Sequence, residues 1–300
     1  MAFVNPEYLV STEWLHSNLD DPDVRVLDVT AKLSSKLENH AKAECFDLGH
    51  IPGSIFFDVS SGKGVLSDDQ AELPWMWPGP DQFAASMAAA GVGETTHVVL
   101  VARTPREGID SGTMWCTRAW WTMHHYGVRC SILSGGLERW EDEGRPMTTE
   151  LNPVAVTEPP VLATDWSKAR ATKDDVLAAT ESSTCLVDAL SEDSFDGTGA
   201  SYGPRGGHIS GATNVPFRSL IERETAAFVD ADAMERTLTA AGLLGPEANT
   251  PVITYCGGAI AATVDAFALA LFGRTDVSVY DASLMEWSAD PTLPMTNPST

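Results

Sequence analysis

A series of sequence landmarks occurs twice, in the same order, along this chain of 300 residues. Each series begins with an apolar, β-rich run ending in an aspartate, at Asp28 and again at Asp188, and reaches a Gly-His-Ile motif at 49–51 and at 207–209. A helical stretch, a short apolar strand, a longer helical stretch and a tryptophan-ended turn follow in both halves. Strands that alternate with helices are typical of parallel sheets covered on both faces. The duplication therefore predicts an α/β fold of two tandem domains, each a mainly parallel sheet flanked by helices.

A proline-rich segment separates the two series. Prolines cluster between residues 153 and 160, and such segments favour extended linkers. We therefore predict an N-terminal domain over residues 1–147, a linker over 148–163 and a C-terminal domain over 164–300. A chain of this length is consistent with two domains of average size.

The charge balance is strongly acidic, with 42 acidic residues against 19 basic ones and a formal net charge of −23. Such a surface repels nucleic acid and anionic lipid, so neither is expected as a partner. The sequence has no apolar run long enough for a transmembrane helix and no secretory signal, which makes the cytoplasm the expected location. An anionic substrate would need a local cation or a set of main-chain dipoles to overcome the overall field.

The chain contains five cysteines, an odd number, without a Cys-x-x-Cys pair. Wide spacing argues against a disulfide framework and against a structural zinc site, and no metal or organic cofactor is expected. Each cysteine is then either buried filler or a reactive thiol. The cysteines are Cys45, Cys116, Cys130, Cys185 and Cys256.

Cys256 stands where an apolar strand over 251–255 meets Gly257, Gly258 and an alanine-rich helix predicted over 259–272. Ligands of open α/β sheets bind at the carboxyl ends of strands. Glycines allow successive main-chain N–H groups to turn inward, and a helix N-terminus adds partial positive charge. We therefore predict that the loop holds an anion on Cys256 and lowers the pKa of its thiol.

The sequence resembles the tandem-domain rhodanese family, the sulfurtransferases that include thiosulfate and 3-mercaptopyruvate sulfurtransferases. The resemblance spans nearly the whole chain. It implies that the second domain is catalytic and that Cys256 carries sulfur as a persulfide, while the first domain has no cysteine at the equivalent strand end, where Ala102 follows. The matching segments are 9–14, 49–58, 134–140, 207–216 and the Cys256 loop.

The resemblance also indicates which type of sulfur donor the protein prefers. The loop after Cys256 is neutral, which is closer to the mercaptopyruvate type than to the thiosulfate type, whose loop carries cations. The chain departs from that type as well: Gly258 replaces a serine, Trp75 stands where a histidine is expected, and Asp58 alone remains of that relay. Arg205 matches one of two arginines that hold the donor carboxylate, and the second falls near Ser194 and is missing.

The resemblance and the residues together assign roles. Cys256 is the nucleophile and Arg205 the donor anchor, while Asp58 and Trp75 are expected near the cleft between the domains, where Arg103 or Arg106 would replace the missing arginine. His50 and His208 occupy equivalent landmarks, which indicates a structural hydrogen bond in each half. The amides expected to cradle the donor belong to Gly257, Gly258, Ala259, Ile260 and Ala261.

The predicted function is transfer of sulfane sulfur from a small anionic donor to a thiol or to cyanide, in two half-reactions through a persulfide on Cys256. A thioredoxin-like reductant is a candidate acceptor. Two alternatives stay open at this point. One is a non-catalytic rhodanese-like module that binds a partner or carries persulfide, and the other is a sulfurtransferase with an unusual thiol donor.

Overall fold

A computed structural model of the chain describes residues 2–105, 112–151, 153–246 and 248–299. The chain forms two compact units, each of which takes a short segment from the other half of the sequence. The first unit comprises Glu7–Trp166 and Arg223–Phe228, and the second comprises Met1–Pro6, Ser167–Glu222 and Val229–Thr300. Each unit is built on a five-stranded parallel sheet flanked by helices, which confirms the predicted fold class.

The sheet of the first unit has the strand order β1-β5-β4-β2-β3. Its strands are β1 (Leu9–Val10), β2 (Val24–Asp28), β3 (Ile55–Phe56), β4 (His97–Val101) and β5 (Cys130–Leu133). Its helices are α1 (Thr12–Ser17), α2 (Ala41–Glu44), α3 (Pro80–Ala89), α4 (Gly112–His125) and α5 (Gly136–Asp142).

The second unit repeats this plan, with the strand order β6-β11-β10-β7-β9 and a separate antiparallel pair, β12-β8. Its strands are β6 (Arg170–Ala171), β7 (Cys185–Asp188), β8 (His208–Ile209), β9 (Thr213–Asn214), β10 (Val252–Tyr255), β11 (Val277–Tyr280) and β12 (Met295–Thr296). Its helices are α6 (Lys173–Ala179), α7 (Glu192–Phe195), α8 (Ala231–Ala240), α9 (Ala262–Leu271) and α10 (Ser283–Trp287).

The central strand of each sheet, β4 or β10, is buried along its whole length. Apolar runs without alternation form such strands because helices cover both faces of a parallel sheet. Every residue of α9 is buried as well. This helix begins at Ala262 instead of the predicted Ala259, because Ala259 adopts a left-handed backbone with φ 60° that a right-handed helix cannot include. Among the described residues, no helix is both long and apolar enough to cross a bilayer.

Two equivalent histidines are held in the same way in the two units. His50 Nδ1 lies 2.9 Å from the carbonyl oxygen of Phe46, and its ring stacks on that phenylalanine at 3.9 Å. His208 Nδ1 lies 2.8 Å from the carbonyl oxygen of Phe195, and the two rings stack at 3.6 Å. The predicted structural hydrogen bond is therefore confirmed in both halves.

We predict that His208→Ala lowers the free energy of unfolding by about 2 kcal/mol, because it removes a buried hydrogen bond and a ring stack together. Urea denaturation at fixed pH measures this change. The exposed His40 provides the control, and His40→Ala should shift the free energy by less than about 0.5 kcal/mol. Equal effects of the two substitutions would contradict the structural role of His208.

Candidate active site

Cys256 lies at the carboxyl end of β10, the central strand of the second sheet, and is 3% exposed. The strand reaches this point through the pairing of Tyr255 with Asp188 of β7. Residues 256–261 then form a loop, and the left-handed turn at Ala259 bends it before α9 begins. The thiol is therefore placed at the sheet edge where α/β proteins bind ligands.

The turn before α10 fixes the position of this loop. The N–H of Cys256 donates to Ser283 Oγ at 3.2 Å, and that hydroxyl donates to the carbonyl of Tyr280 at 2.8 Å. The N–H of Leu284 donates to the carbonyl of Cys256 at 3.1 Å, and the N–H of Met285 donates to that of Gly257 at 3.0 Å. Sequence reasoning missed Ser283, although it stands in the repeated tryptophan-ended turn.

Main-chain N–H groups of the loop act on the sulfur of Cys256. The amides of Ala262, Gly258 and Ile260 hydrogen-bond to the thiol group. Two of these residues belong to the predicted cradle, and Ala262 is the first residue of α9. The amides stabilise a negative charge on sulfur, as expected of a loop that leads into a helix N-terminus.

The predicted direction of the Cys256 pKa is wrong. Burial raises the pKa of the thiol, the amides of the cradle lower it, the negative charge of Asp188 raises it further, and the net result lies above the ordinary value of 9.0. Desolvation of the thiolate outweighs the hydrogen bonds because the sulfur is almost completely removed from water. Burial therefore favours the protonated thiol of Cys256 over the thiolate.

Two buried acids lie in the same unit as Cys256. Burial raises the pKa of Asp188 to about 6, although the N–H of Leu190 and the hydroxyl of Tyr255 favour the carboxylate. Asp265, on α9, is completely buried, and neither of its oxygens has a hydrogen-bond partner among the described residues. Burial, with the charge of Asp188, raises the pKa of Asp265 well above its usual range.

Tyr202 is a further residue at the site that the sequence did not predict. Its ring lies directly against Gly257, since a Cβ atom on that glycine would be 2.1 Å from Tyr202 Cδ1. Burial raises the pKa of the Tyr202 hydroxyl, and the charge of Cys256 raises it further. No local sequence pattern connects Tyr202 with Gly257, because the two residues come from distant segments.

Arg205 is predicted to anchor the sulfur donor. In the structure, its guanidinium donates hydrogen bonds to main-chain carbonyl groups. Its Nε donates to Ser288 at 2.9 Å and its Nη1 to Leu293 at 2.8 Å, while Nη2 donates to Trp287 at 2.7 Å and to Asp290 at 2.5 Å. The guanidinium holds the end of α10 and the segment after it. Its role as a donor anchor stays a prediction, and a carboxylate would have to compete with these carbonyls.

Two of the predicted cleft residues, Asp58 and Trp75, form one local network in the first unit. Asp58 Oδ1 accepts from Asn39 Nδ2 at 3.1 Å and from the N–H of Ser61 at 3.1 Å. Trp75 Nε1 donates to the carbonyl of Ser60 at 2.8 Å, and the N–H of Ser60 donates to Asp58 at 3.2 Å. These contacts close a turn of the first unit.

Two arginines of the first domain, Arg103 and Arg106, are predicted to lie near the cleft, and the structure describes one of them. Arg103 forms a two-point ion pair with Glu141, with N–O distances of 2.8 and 2.6 Å. Arg106 lies outside the described residues. The cleft roles predicted for Arg103 and Arg106 are not tested by these contacts and stay predictions.

Comparison with known proteins agrees with the observed fold. The family described as "Rhodanese-like domain" matches the chain twice, at residues 11–143 and 165–290. The 3-mercaptopyruvate sulfurtransferase of Escherichia coli is 31% identical over 296 residues, covering 96% of this chain and 97% of that protein. The thiosulfate sulfurtransferase of Bos taurus is 30% identical, covering 93% of this chain and 91% of that protein. The crystal structure of SseA from Escherichia coli has a TM-score of 0.77 and 27% identity, covering 92% of this chain and 98% of SseA.

The chain therefore belongs to the rhodanese-like domain family, with two such domains in tandem. It is a sulfurtransferase, as the near full-length matches to enzymes of that class establish.

The buried carboxyl group of Asp265, on α9, leads to a prediction about how the stability of the protein depends on pH. Because the pKa of Asp265 is raised in the folded state, unfolding releases a proton at any pH between the unfolded and folded values. The wild type therefore loses stability as the pH rises through that window. We predict that the stability of Asp265→Asn relative to the wild type rises by about 1.4 kcal/mol for each pH unit between about pH 4 and the raised pKa of Asp265.

Chemical denaturation of both proteins at several pH values measures the difference. Asp20→Asn is the control, since it removes the same charge from an exposed position. A stability difference between Asp265→Asn and the wild type that stays constant with pH would show that Asp265 has no raised pKa.

Proposed function

We propose that Cys256 carries sulfur as a persulfide, taken from a small mercapto-acid of the 3-mercaptopyruvate type and passed to a thiol or to cyanide. The observation that carries the proposal is the position of a buried thiol at the end of the central strand, where hydrogen bonding from three main-chain N–H groups favours a negative charge on its sulfur. Such N–H groups stabilise a thiolate and a persulfide anion alike.

The reaction divides into two half-reactions. In the first, the Cys256 thiol gives its proton to solvent, and the resulting thiolate attacks the sulfur of the donor. The carbon–sulfur bond breaks, and its electron pair leaves with carbon. That carbon takes up the donor's thiol proton, which yields pyruvate and a persulfide anion on Cys256. In the second, the acceptor attacks the outer sulfur, the sulfur–sulfur bond breaks, and its electron pair returns to Cys256. Two-step transfer of this kind gives ping-pong kinetics.

The preference for a mercapto-acid over thiosulfate rests on charge. Thiosulfate is a dianion, and the loop over 256–262 contains neither lysine nor arginine. The chain as a whole has a formal charge of −23, which raises the cost of bringing a dianion to the site. Main-chain dipoles suffice for a single developing charge, so the donor with less charge near the sulfur is favoured.

A sulfurtransferase with a different thiol donor is the second candidate. It is favoured by the engagement of Arg205 with four main-chain carbonyls, with which a donor carboxylate would have to compete. A carrier of persulfide with little turnover would share the same Cys256 chemistry.

Intact mass before and after incubation with each donor tests the proposal. The wild type should gain about 32 Da, the mass of one sulfur atom held covalently on the nucleophile, and should gain it faster from 3-mercaptopyruvate than from thiosulfate. Cys256→Ser should gain nothing. Cys185→Ser, which changes a half-buried cysteine in the same unit, should behave as the wild type does.

Two results would contradict this proposal. An adduct that persists in Cys256→Ser would place the sulfur on another residue. The absence of an adduct with both donors would favour the second candidate, a sulfurtransferase that uses a different thiol donor. In that case, a mass gain from a panel of small thiols would separate a different donor specificity from a module without transfer activity.

The raised pKa of Cys256 predicts how its reactivity depends on pH. Because burial keeps the thiol protonated, and the thiolate is the nucleophile, the rate of alkylation by iodoacetamide should still be rising at pH 9. Peptide-resolved mass spectrometry separates Cys256 from the other cysteines. A rate that levels off below pH 8 would contradict the raised pKa.

A further inference from the structure

Gly257, the residue after the nucleophile, is a glycine for reasons of space and not of backbone conformation. Its φ lies outside the left-handed region that only glycine adopts easily. A Cβ atom at this position would nevertheless be 2.1 Å from Tyr202 Cδ1 and 2.6 Å from both Cε1 and Cγ. Atoms in proteins do not approach so closely, so the ring of Tyr202 occupies the volume that any side chain at position 257 would need.

The ring of Tyr202 is held in this place by its own loop. Ser201 Oγ donates to the carbonyl of Gly203 at 2.7 Å and lies 3.3 Å from the carbonyl oxygen of Arg205. Gly203 in turn packs closely against Ser288, at the end of α10. Since Arg205 also donates to the carbonyl of Ser288, the segment directly after Tyr202 is attached to the end of α10 at two points. The residue as a whole is 40% exposed, so Tyr202 covers Gly257 while part of the residue faces solvent.

Charges around the ring favour a neutral phenol. Burial raises the pKa of Tyr202, and the charges of Cys256 and Asp188 raise it further, against the opposing charge of Arg218. The wall of the site beside Gly257 is therefore an uncharged aromatic ring with a hydroxyl group. A lysine or arginine at position 257 would instead place a cation next to the nucleophile.

We propose that Tyr202 is a specificity-determining residue: its ring fills the space beside the Cys256 loop where a cationic side chain would otherwise stand, and so disfavours dianionic sulfur donors. The inference rests on the proposed function, since it concerns the donor of that same site. A donor with its negative charge away from the sulfur needs no cation there. A dianion such as thiosulfate has charge next to the transferred sulfur and does need one.

The steric part of the proposal is tested by stability. Gly257→Ala should lower the melting temperature by about 4 °C in the wild type, because the ring must move. In the Tyr202→Ala background the same change should cost less than about 1 °C. Gly206→Ala is the matched control, because a Cβ there would meet its nearest neighbour at an ordinary 3.6 Å. An equal loss for Gly257→Ala in both backgrounds would overturn the proposal.

The specificity part is tested by kinetics with both donors and cyanide as acceptor. Gly257→Arg alone should reduce kcat/KM for both donors at least about 10-fold, because the arginine displaces the ring and distorts the loop. Tyr202→Ala with Gly257→Arg should raise the ratio of kcat/KM for thiosulfate to that for 3-mercaptopyruvate at least about 10-fold over the wild type. An unchanged ratio in the double variant would overturn the proposal.

Tyr202→Phe separates ring volume from the hydroxyl. It keeps the ring and should hold the donor ratio within about 2-fold of the wild type, whereas a shift as large as that of the double variant would overturn the steric explanation. Failure of the proposed function is recognised independently. A wild type that gains no sulfur from either donor would refute persulfide transfer, while the melting temperatures would still report whether Tyr202 excludes side chains at position 257.

Discussion

The active-site loop depends on two hydrogen bonds that the start of α10 makes to its carbonyls. The N–H groups of Leu284 and Met285 bind the carbonyls of Cys256 and Gly257. In a planar trans peptide the carbonyl and the N–H point in opposite directions. Turning the carbonyl of Gly257 toward α10 therefore turns the N–H of Gly258 toward the sulfur. The cradle around the thiol is thus a consequence of packing between neighbouring segments, and glycine in the loop only permits it.

The same loop shows that local dipoles and burial act in opposite directions on one thiol. Three amides favour the anion on Cys256, but burial of the sulfur disfavours it more strongly. A buried thiol of this kind is protected from adventitious oxidants while it stays protonated. In the proposed transfer, the amides act when charge develops on sulfur, which is the stage where they lower the barrier.

The sequence predicted the features that depend on repetition and strand ends. Both sheets and the location of Cys256 after β10 follow from apolar runs and from the repeated landmarks, because burial on both faces imposes those patterns. The start of α9 was displaced by one left-handed residue, Ala259. The direction of the Cys256 pKa and the place of Tyr202 could not be predicted, because each depends on tertiary contacts between distant segments. The partners of Arg205 are main-chain carbonyls, which have no signature in the amino-acid sequence.

Those carbonyls also determine how the site responds to ionic strength. Arg205 binds the end of α10 and the segment after it through short hydrogen bonds to neutral carbonyl groups. Arg103, in contrast, forms an ion pair with the carboxylate of Glu141, whose side chain is partly exposed. Dissolved salt screens attraction between exposed charges but has little effect on close contacts between a cation and shielded dipoles. The wall beside Cys256 should therefore keep its shape in concentrated electrolyte, where ion pairs on so acidic a surface are weakened.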